Sequence, residues 1–396
     1  MKWCSALSSA PETSPALDEV VERVREELGG VAPHFVLAFL SPHHDFQKAS
    51  DALGAAFPDA AILGTSARSV IGAGRELEEE PGLALAAAHL PGVEIHPFHL
   101  RNDELPDPGE APAWWRERLG LAHGVRPSFV LLADPFSCDA ETLIGGLDAS
   151  FPGAPKIGGL ASAATEPGGN SLLCAGRLER EGVVGVALHG ELEVDTIVAQ
   201  GCRPIGNPLF VTRARDQLLF ELDGRKPADV LQAIFDAADE RDRELFRTSL
   251  FLGIEMKEAL SEYRQGDFLV RNLVGLDARS GALVAGARLH DGQVVQFHLR
   301  DAETSARDLE ERLARYRSSL PSPPSQAGAL LFSCLGRGQY LYGEPNHDSA
   351  AFARHLGRIP LAGFFCNGEI GPVEGRTFLH GYTSAFGIFR RPRRLD

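Results

Sequence analysis

The stretch "FVLAFL", residues 35–40, is the key to the architecture because a closely similar stretch occurs later in the chain. A second copy, "FVLLAD", occupies residues 129–134, which is 94 positions later. A short apolar run of this kind predicts a buried strand. The segment that follows repeats at the same spacing, since "FPDAAILGT" (57–65) corresponds to "FPGAPKIGG" (151–159) and Gly64 corresponds to Gly158. Several matches at one spacing indicate an internal structural repeat.

Each copy predicts a strand, a helix, a second strand and then a hairpin. In the first copy the helix carries Phe46, Ala49 and Leu53 on one face, and "LALAAAHL" (83–90) and "VEIHPFHL" (93–100) are the later strands. The second copy continues with "GVVGVALHGELEVDTIVAQG" (182–201). Strands that alternate with helices in this way predict layered sheets with helices packed against them.

A third copy is weaker, and we expect it to be rearranged. Its strands are "GALLFSC" (328–334) and "IPLAGFFCNGE" (359–369), with a short helix between them, and "TFLHGYTSAFGIF" (377–389) ends the copy. The usual closing strand is expected before this copy, in "GALVAGARLHDGQVVQFHLRD" (281–301), because its "FHLR" also occurs at 98–101.

The predicted fold class is α+β, with layered sheets, packed helices and two domains. An amphipathic helix opens the chain, with a cap at Ser14 and an apolar stripe from Leu17 to Leu28. Two more helices are expected at 227–238 and 305–320. We therefore predict an N-terminal helix at 1–29, one domain at 30–220 and a second domain at 221–396.

Composition and charge exclude several classes of protein. The formal net charge of −15 repels nucleic acid and anionic membranes, so neither is an expected partner. No run approaches the roughly 18 apolar residues that a membrane span needs, and the N-terminus does not resemble a signal peptide. The six cysteines are widely spaced without a CxxC pair, which favours reduced thiols. We expect a cytoplasmic protein.

No sequence motif for binding a nucleotide, a cofactor or a metal is complete in this chain. "GPVEGRT" (371–377) has the wrong spacing for a phosphate-binding loop, and "GRGQYLYG" (336–343) is not a dinucleotide-binding motif. His96 and His99 point to opposite faces of a strand, so they are not expected to bind a metal together. His43, His44 and Asp45 are more typical of a solvated loop. The expectation is therefore no cofactor and no metal.

Three strands end in glycine followed by small polar side chains. Glycine at a strand end lets backbone N–H groups approach a ligand, and hydroxyl or amide groups can complete its hydrogen bonds. The alternative is that these glycines only close tight turns. The candidate ligand-binding residues at these ends are Gly64, Thr65, Ser66, Gly159, Ser162, Gly363, Asn367, Gly368, Glu369 and Gly371.

A second candidate cluster follows the strand "LLFSC" (330–334). Arginine between glycines suits the bidentate binding of a carboxylate or phosphate, although it could also be a surface residue paired with Glu344. Cys334 and Cys366 are either core thiols or, in an enzyme, a nucleophile with His347 or His380 as its base. The candidate residues of this cluster are Ser333, Cys334, Gly336, Arg337 and Gly338.

From about residue 30 onward the chain resembles the FIST family. "ILGTSARSVIGAGRELEEEPGLALAAAHLPGVEI" (62–95) resembles the FIST N domain, with Arg68 where a smaller residue is expected. "LFSCLGRGQYLYGEPNHD" (331–348) and "PLAGFFCNGEIGPVEGRTFLHGYTSAF" (360–386) resemble the FIST C domain. The motif positions that the resemblance transfers are Ser333, Cys334, Gly336, Arg337, Gly338, Gly363, Gly368, Glu369 and Gly371.

The resemblance implies a sensory domain that binds a small ligand, with amino acids as one ligand class. The family occurs alone in bacteria, fused to signalling modules, and beside an F-box in eukaryotes; here only a helix precedes the resembling region, so no output module is expected. We expect a signal-transduction protein with a small ligand and a downstream signalling partner, and with its pocket between the N and C domains. There Arg337 would bind an anionic group, and Glu369 would bind a cationic group or pair with Arg337. A cysteine-dependent enzyme and a protein-interaction scaffold remain the alternatives, and the oligomeric state stays open.

Overall fold

The computed structural model describes residues 1–106, 111–257, 260, 262–277, 279–322, 324 and 326–392. It confirms the mixed α+β class and divides the chain into two compact units. The three-sheet unit comprises Met1–Ala199, Leu309–Leu379 and the described residues from Thr383 onward. The barrel unit comprises Gln200–Asp308 and His380–Tyr382. Within the described residues, no helix is both long enough and apolar enough to cross a membrane.

The first repeat of the three-sheet unit opens with a strand that the sequence did not predict. This strand pairs with the closing strand of the repeat, and its side chains are buried over most of its length. The elements of the repeat are β1 (Lys2–Ser8), α1 (Thr13–Leu28), β2 (Phe35–Leu40), α2 (Phe46–Ala56), β3 (Ala61–Ser66), β4 (Val70–Gly72), β5 (Arg75–Leu77) and β6 (Leu83–His89).

The second repeat has the same order of elements, with a short 3-10 helix at Asn102–Glu104 after its first strand. Asp45 and Asp139 stand 94 residues apart and each caps the helix that follows it, by accepting from the backbone N–H of Lys48 and Thr142. The elements are β7 (Val93–Leu100), α3 (Ala111–Arg118), β8 (Ser128–Ala133), α4 (Ala140–Ser150), β9 (Lys156–Leu160), β10 (Leu172–Cys174), β11 (Arg177–Glu179) and β12 (Val183–Gly190).

The third repeat is interrupted in sequence by the barrel unit. It starts with β13 (Glu193–Gln200). The barrel unit follows, and its six strands close into a barrel. Its elements are β14 (Cys202–Arg215), β15 (Leu218–Leu222), α5 (Pro227–Ala237), α6 (Glu240–Thr248), β16 (Leu250–Glu255), β17 (Phe268–Leu276), β18 (Leu283–Ala285) and β19 (Val294–Arg300). The third repeat resumes with α7 (Ala302–Ser318), β20 (Gly328–Cys334), α8 (Gln339–Tyr342), α9 (His347–Leu356), β21 (Leu361–Cys366), β22 (Glu369–Val373), β23 (Arg376–His380) and β24 (Thr383–Arg390).

The three sheets of the three-sheet unit have the same topology, and each borrows a hairpin from another repeat. Their strand orders are β1-β6-β2-β3-β10-β11, β7-β12-β8-β9-β22-β23 and β13-β24-β20-β21-β4-β5. The hairpin β4–β5 of the first repeat therefore completes the third sheet, β10–β11 completes the first and β22–β23 completes the second. Because of this exchange, each sheet needs strands from two repeats.

The prediction that the third repeat is rearranged was wrong. Its closing strand is β24, which pairs antiparallel with β20 just as β6 pairs with β2 and β12 with β8. The segment 281–301, which we expected to close the repeat, instead provides β18 and β19 of the barrel. Its apolar pattern identifies it as β structure, but such a pattern carries no information about which sheet the strand joins.

The middle strands of the three sheets share one glycine position. Gly64, Gly158 and Gly363 lie inside β3, β9 and β21, each paired with a residue of the preceding parallel strand. A Cβ atom added at any of them would overlap the carbonyl oxygen of its neighbour, which is Ala38, Leu131 or Leu331 respectively. These glycines are therefore required by close approach between adjacent strands.

Candidate functional site

The carboxyl ends of β3, β9 and β21 meet at one place in the three-sheet unit. Counting four residues beyond the shared glycine gives three equivalent positions, Arg68, Ser162 and Asn367. Hydrogen bonds connect the three strand ends around this place, which we call the junction (residues 65–69, 160–162 and 365–368). The convergence that the repeat predicts is thus present in the folded chain.

Two of the three connections around the junction are direct backbone hydrogen bonds. The N–H of Ser162 donates to the carbonyl of Ser66 over 3.3 Å, and the N–H of Asn367 donates to the carbonyl of Leu160 over 3.2 Å. Ser66, Leu160 and Phe365 occupy equivalent positions in the three repeats. In each bond the acceptor is one of these residues, and the donor stands two residues after the equivalent residue of the next repeat. The same rule requires a third bond, from the N–H of Arg68 to the carbonyl of Phe365.

The third connection passes through a side chain. The N–H of Arg68 donates to the Oγ of Ser162 over 3.1 Å, and that hydroxyl donates in turn to the carbonyl of Phe365 over 2.5 Å. One buried serine hydroxyl therefore closes the ring between the first and third repeats. Ser162 thus acts as a structural bridge, a role that the sequence did not indicate.

Two of the three equivalent side chains are exposed. Arg68 is half exposed, and its guanidinium lies 2.9 Å from the carboxylate of Glu79, which is more exposed still. Asn367 is also exposed, and its Nδ2 donates to the carbonyl of Ala161 over 3.1 Å. We call the exposed side chains at the junction its outer face; they are the guanidinium of Arg68 with the carboxylate of its partner Glu79, and the amide of Asn367.

The predicted hydroxyl residues of the first strand end face inward. Thr65 is fully buried, and Ser66 accepts from the N–H of Ser171 over 2.9 Å. The Oγ of Ser66 also lies 3.4 Å from the Oδ1 of Asn170, whose Nδ2 donates to Asp134 over 2.9 Å. Both hydroxyls lie in the interior of the junction rather than on its outer face.

The remaining predicted glycines support packing near the junction. Gly159 lies directly against the side chain of Cys366, so that a Cβ there would overlap the sulfur. The carbonyl of Gly368 accepts from the N–H of Leu160 over 2.9 Å, and Gly371 is buried within β22. Their observed contacts are with the protein's own backbone and side chains.

Glu369 is fully buried at the start of β22. Its Oε2 accepts two hydrogen bonds from Thr383, one from the N–H over 3.1 Å and one from the hydroxyl over 2.8 Å. Its backbone pairs with Gly159 of the second repeat. Glu369 therefore links the hairpin β22–β23 to the closing strand of its own repeat.

Arg337 is fully buried beyond the end of β20 and is bound by Asp348. Its Nε and Nη2 donate to the two carboxylate oxygens of Asp348 over 3.0 and 3.2 Å, which is a bidentate ion pair. Ser333 donates to the same carboxylate over 3.1 Å, and Ser384 also donates to it. The observed partner of Arg337 is thus a carboxylate of the chain itself, and the ion pair holds the loop 335–338 against helix α9.

The buried pair shifts the pKa values of both partners toward their charged forms. Burial alone would lower the pKa of Arg337, but the charge of Asp348 outweighs it and raises that pKa above its ordinary value. Burial alone would raise the pKa of Asp348, yet the charge of Arg337 and hydrogen bonds from His347 and Ser384 keep it below its ordinary value. Both groups are therefore charged near neutral pH.

Two further carboxylates, which carry no sequence signal, lie at this cluster: Glu76 in β5 and Glu78 immediately after β5. Glu76, which is buried, accepts 2.7 Å bonds from the N–H and the hydroxyl of Ser349 in the first turn of α9. Glu78 accepts from the N–H of Gln339 over 2.9 and 3.1 Å, close against Gly338. Only the exchange of the hairpin β4–β5 into the third sheet brings these carboxylates there, so no local pattern could have found them.

Glu76 has the most informative pKa of this cluster. Burial, followed by the charge of Asp348, raises the pKa of Glu76 from its ordinary value of 4.5 to about 7. The hydrogen bonds from Ser349 act in the opposite direction. Burial also raises the pKa of Glu78, although bonding to Gln339 opposes the shift. A buried carboxyl of this kind gains a proton close to physiological pH.

The cysteines that could serve an enzyme lie in different surroundings. Cys366 is fully buried, and burial raises the pKa of its thiol well above the ordinary value, which disfavours the thiolate. Cys334 is half-buried at the end of β20. His347 stacks on Tyr342 and its Nδ1 lies 3.0 Å from Asp348, while His380 is buried in the barrel unit.

Comparison with known proteins identifies the family. The FIST N domain model matches residues 34–225, and the FIST C domain model matches residues 227–372. The chain belongs to the FIST family. FIST domains are small-ligand sensory domains of signal transduction. The two FIST models meet close to the domain boundary at 220 that the sequence predicts, although the compact units divide the chain differently, and that boundary stays a prediction.

Relatives of similar length share the FIST region and the rest of the chain. The uncharacterized protein Rv0628c of Mycobacterium tuberculosis is 37% identical over 385 residues, which are 97% of this chain and 98% of that protein. The uncharacterized protein Mb0898c of Mycobacterium bovis is 34% identical over 384 residues, or 96% and 97% of the two chains. A crystal structure of a cyanuric acid hydrolase from A. caulinodans aligns over 98% of each chain with a TM-score of 0.34 and 8% identity, a similarity too low to support an argument.

Proposed function

We propose that this FIST protein is a cytoplasmic sensor that binds a small carboxylate, with amino acids as the favoured class, on the outer face of the junction. The observation that carries the proposal is the meeting of three equivalent strand ends, which leaves two side chains exposed, Arg68 with its partner Glu79 and Asn367. The junction joins segments of the FIST N and FIST C regions. A ligand bound there would contact both regions and could change the way they pack.

The charge arrangement on this face favours a zwitterion. Arg68 can bind a carboxylate bidentately, and Glu79 can accept an ammonium group. Their mutual ion pair spans 2.9 Å, but both side chains are more than half exposed, so the pair itself contributes only about 0–1 kcal/mol. A ligand can therefore replace this pair at little cost, with Asn367 as an additional donor and acceptor.

The proposal assigns the buried ion pair a supporting role. Because Arg337 is fully buried and held by Asp348, its place is to position the strand-end loop rather than to receive the ligand's carboxylate. In the same way, the buried residues Gly368 and Glu369 support the junction from the inside and do not contact the ligand. The output of the sensor would be a downstream signalling protein that recognises the ligand-bound form.

The test is a thermal-shift screen with amino acids and small mono- and dicarboxylates. A true ligand at a hundred times its dissociation constant adds about 2.7 kcal/mol to the free energy of unfolding. We expect Arg68→Ala to abolish the shift. The matched control is Arg23→Ala, because Arg23 forms a comparably exposed ion pair with Glu27 over 2.9 Å and lies on helix α1.

Two results would overturn the proposal. One is a panel in which no compound shifts the melting midpoint of the wild-type protein. The other is a ligand whose shift survives in Arg68→Ala, because its site then lies away from the outer face of the junction.

A further inference from the structure

Three potential metal ligands lie together on the second sheet, away from the junction. Glu94 and His96 belong to β7, the terminal strand of that sheet, and His189 belongs to the neighbouring strand β12. The antiparallel register places Glu94 directly opposite His189 and His96 opposite Ala187. Residues two apart on a strand share a face, so all three side chains project from one face of the strand pair.

The ligand atoms of these side chains have the separations of a tetrahedral site. The two Nε2 atoms of His96 and His189 lie 3.2 Å apart. The Oε2 of Glu94 lies 3.4 Å from the Nε2 of His189 and 3.7 Å from that of His96. Zinc bonds of roughly 2.0–2.1 Å at tetrahedral angles separate adjacent ligand atoms by about 3.3–3.4 Å. The three atoms thus form one triangular face of such a site.

Part of this geometry also has a metal-free basis, since the imidazoles of His96 and His189 stack with ring centroids 5.2 Å apart. A hydrogen bond between two neutral imidazoles accounts for the 3.2 Å between the nitrogens, and it requires a single tautomer pair. The carboxylate of Glu94 stands at a similar distance from both nitrogens, within reach of either imidazole. A cation placed between the three atoms satisfies both imidazoles and the carboxylate together.

We propose that Glu94, His96 and His189 form an open binding site for a divalent transition-metal ion of the zinc class. Two imidazoles with one carboxylate suit zinc, and also nickel and copper, better than calcium or magnesium, which prefer all-oxygen sites. The histidine side chains are 27% and 13% exposed and Glu94 is 71% exposed, so the fourth position opens to solvent. Water or an external ligand would occupy that position.

The direct test is a Zn²⁺ titration of the chelator-treated full chain in competition with a chromophoric chelator. We expect one ion per chain. His96→Ala and His189→Ala should each weaken binding at least about 10- to 100-fold, since even the loss of an outer partner of a ligand has that effect. The matched control is His99→Ala on the same strand, because the Nε2 of His99 lies 2.9 Å from the carbonyl of Glu181 and takes no part in the cluster.

Co²⁺ substitution separates this site from binding by the six cysteines. The proposal predicts ligand-field absorption of bound Co²⁺ without a thiolate charge-transfer band. Absence of Zn²⁺ binding, undiminished binding in the His96→Ala/His189→Ala double variant, or a thiolate band would each overturn it. If an alanine variant fails to fold, His189→Gln keeps the side-chain size and provides the same comparison.

Discussion

The backbone nitrogen of Arg68 lies 3.1 Å from the hydroxyl of Ser162, the residue that stands 94 positions later at the equivalent place of the next repeat. The two hydrogen-bonded residues are therefore separated by the same 94 positions that separate the two copies of the repeat. The same hydroxyl donates to Phe365 in the third repeat. One side chain thus joins all three repeats at the junction.

Replacing Ser162 with alanine should destabilise the three-sheet unit. The substitution leaves the N–H of Arg68 and the carbonyl of Phe365 without their shared partner, at a cost of about 1–3 kcal/mol. Urea unfolding followed by tryptophan fluorescence measures this directly, because Trp3, Trp114 and Trp115 all lie in that unit. Thr165→Ala, an exposed hydroxyl nearby, should change the free energy of unfolding by no more than about 0.5 kcal/mol. Equal effects of the two substitutions would contradict the bridging role of Ser162.

Removing Arg337 should cost far more than removing a surface arginine. Arg337→Ala leaves the buried Asp348 charge without its bidentate partner, for which the expected loss is about 3–5 kcal/mol. Arg354 pairs with Glu310 on the surface, so Arg354→Ala should cost at most about 1 kcal/mol. The same fluorescence-detected unfolding compares the two variants. Similar losses of unfolding free energy would show that the buried ion pair of Arg337 contributes no more to stability than an exposed one.

Glu76 should make the protein less stable as the pH rises through neutrality. Its pKa is about 7 in the folded protein against an ordinary value of 4.5, so the folded state holds the proton more tightly. The resulting stabilisation is fully present when the pH is below the pKa of Glu76 in the unfolded chain. It is lost as the pH rises through the pKa of Glu76 in the folded protein. Glu76→Gln removes the titration while keeping an acceptor for Ser349.

The measurement is the free energy of unfolding of wild type and Glu76→Gln between about pH 5 and pH 8. The wild-type value minus that of Glu76→Gln should fall steadily across this range. Glu80→Gln, which alters an exposed carboxylate close by, should give no such trend. A difference that stays flat with pH would mean that Glu76 has no raised pKa.

Gly363→Ala should disrupt the pairing of β20 with β21. Its new Cβ would overlap the carbonyl oxygen of Leu331, and the strands must separate to accommodate it, at a cost of at least about 1–3 kcal/mol. Gly54→Ala is the matched control, because a Cβ there in helix α2 would meet no atom within 4 Å beyond the backbone of its own helix. There alanine should stabilise by roughly 0.5–1 kcal/mol through helix propensity. Circular-dichroism melts of both variants check the opposite signs.

Much of the architecture follows from local pattern. Apolar runs such as residues 35–40 identify strands, spaced apolar residues identify α1, α5, α7 and α9, and the 94-residue spacing identifies the repeat. These features depend on near neighbours in the chain. The strand β1 lacks such a signal because its run "KWCSALS" mixes polar with apolar residues.

The amino-acid pattern is enough to deduce the repeat, the position of its shared glycines and the convergence of its strand ends. The folded chain reveals which sheet each hairpin completes, and thereby that Glu76 reaches α9. It also reveals that Glu94, His96 and His189 meet, through the pairing of β7 with β12. It also decided that Arg337 is bound by Asp348. Strand pairs and ion pairs join residues that are far apart in the chain. Local sequence patterns are compatible with many such pairs, and the burial of side chains on folding determines which of them form.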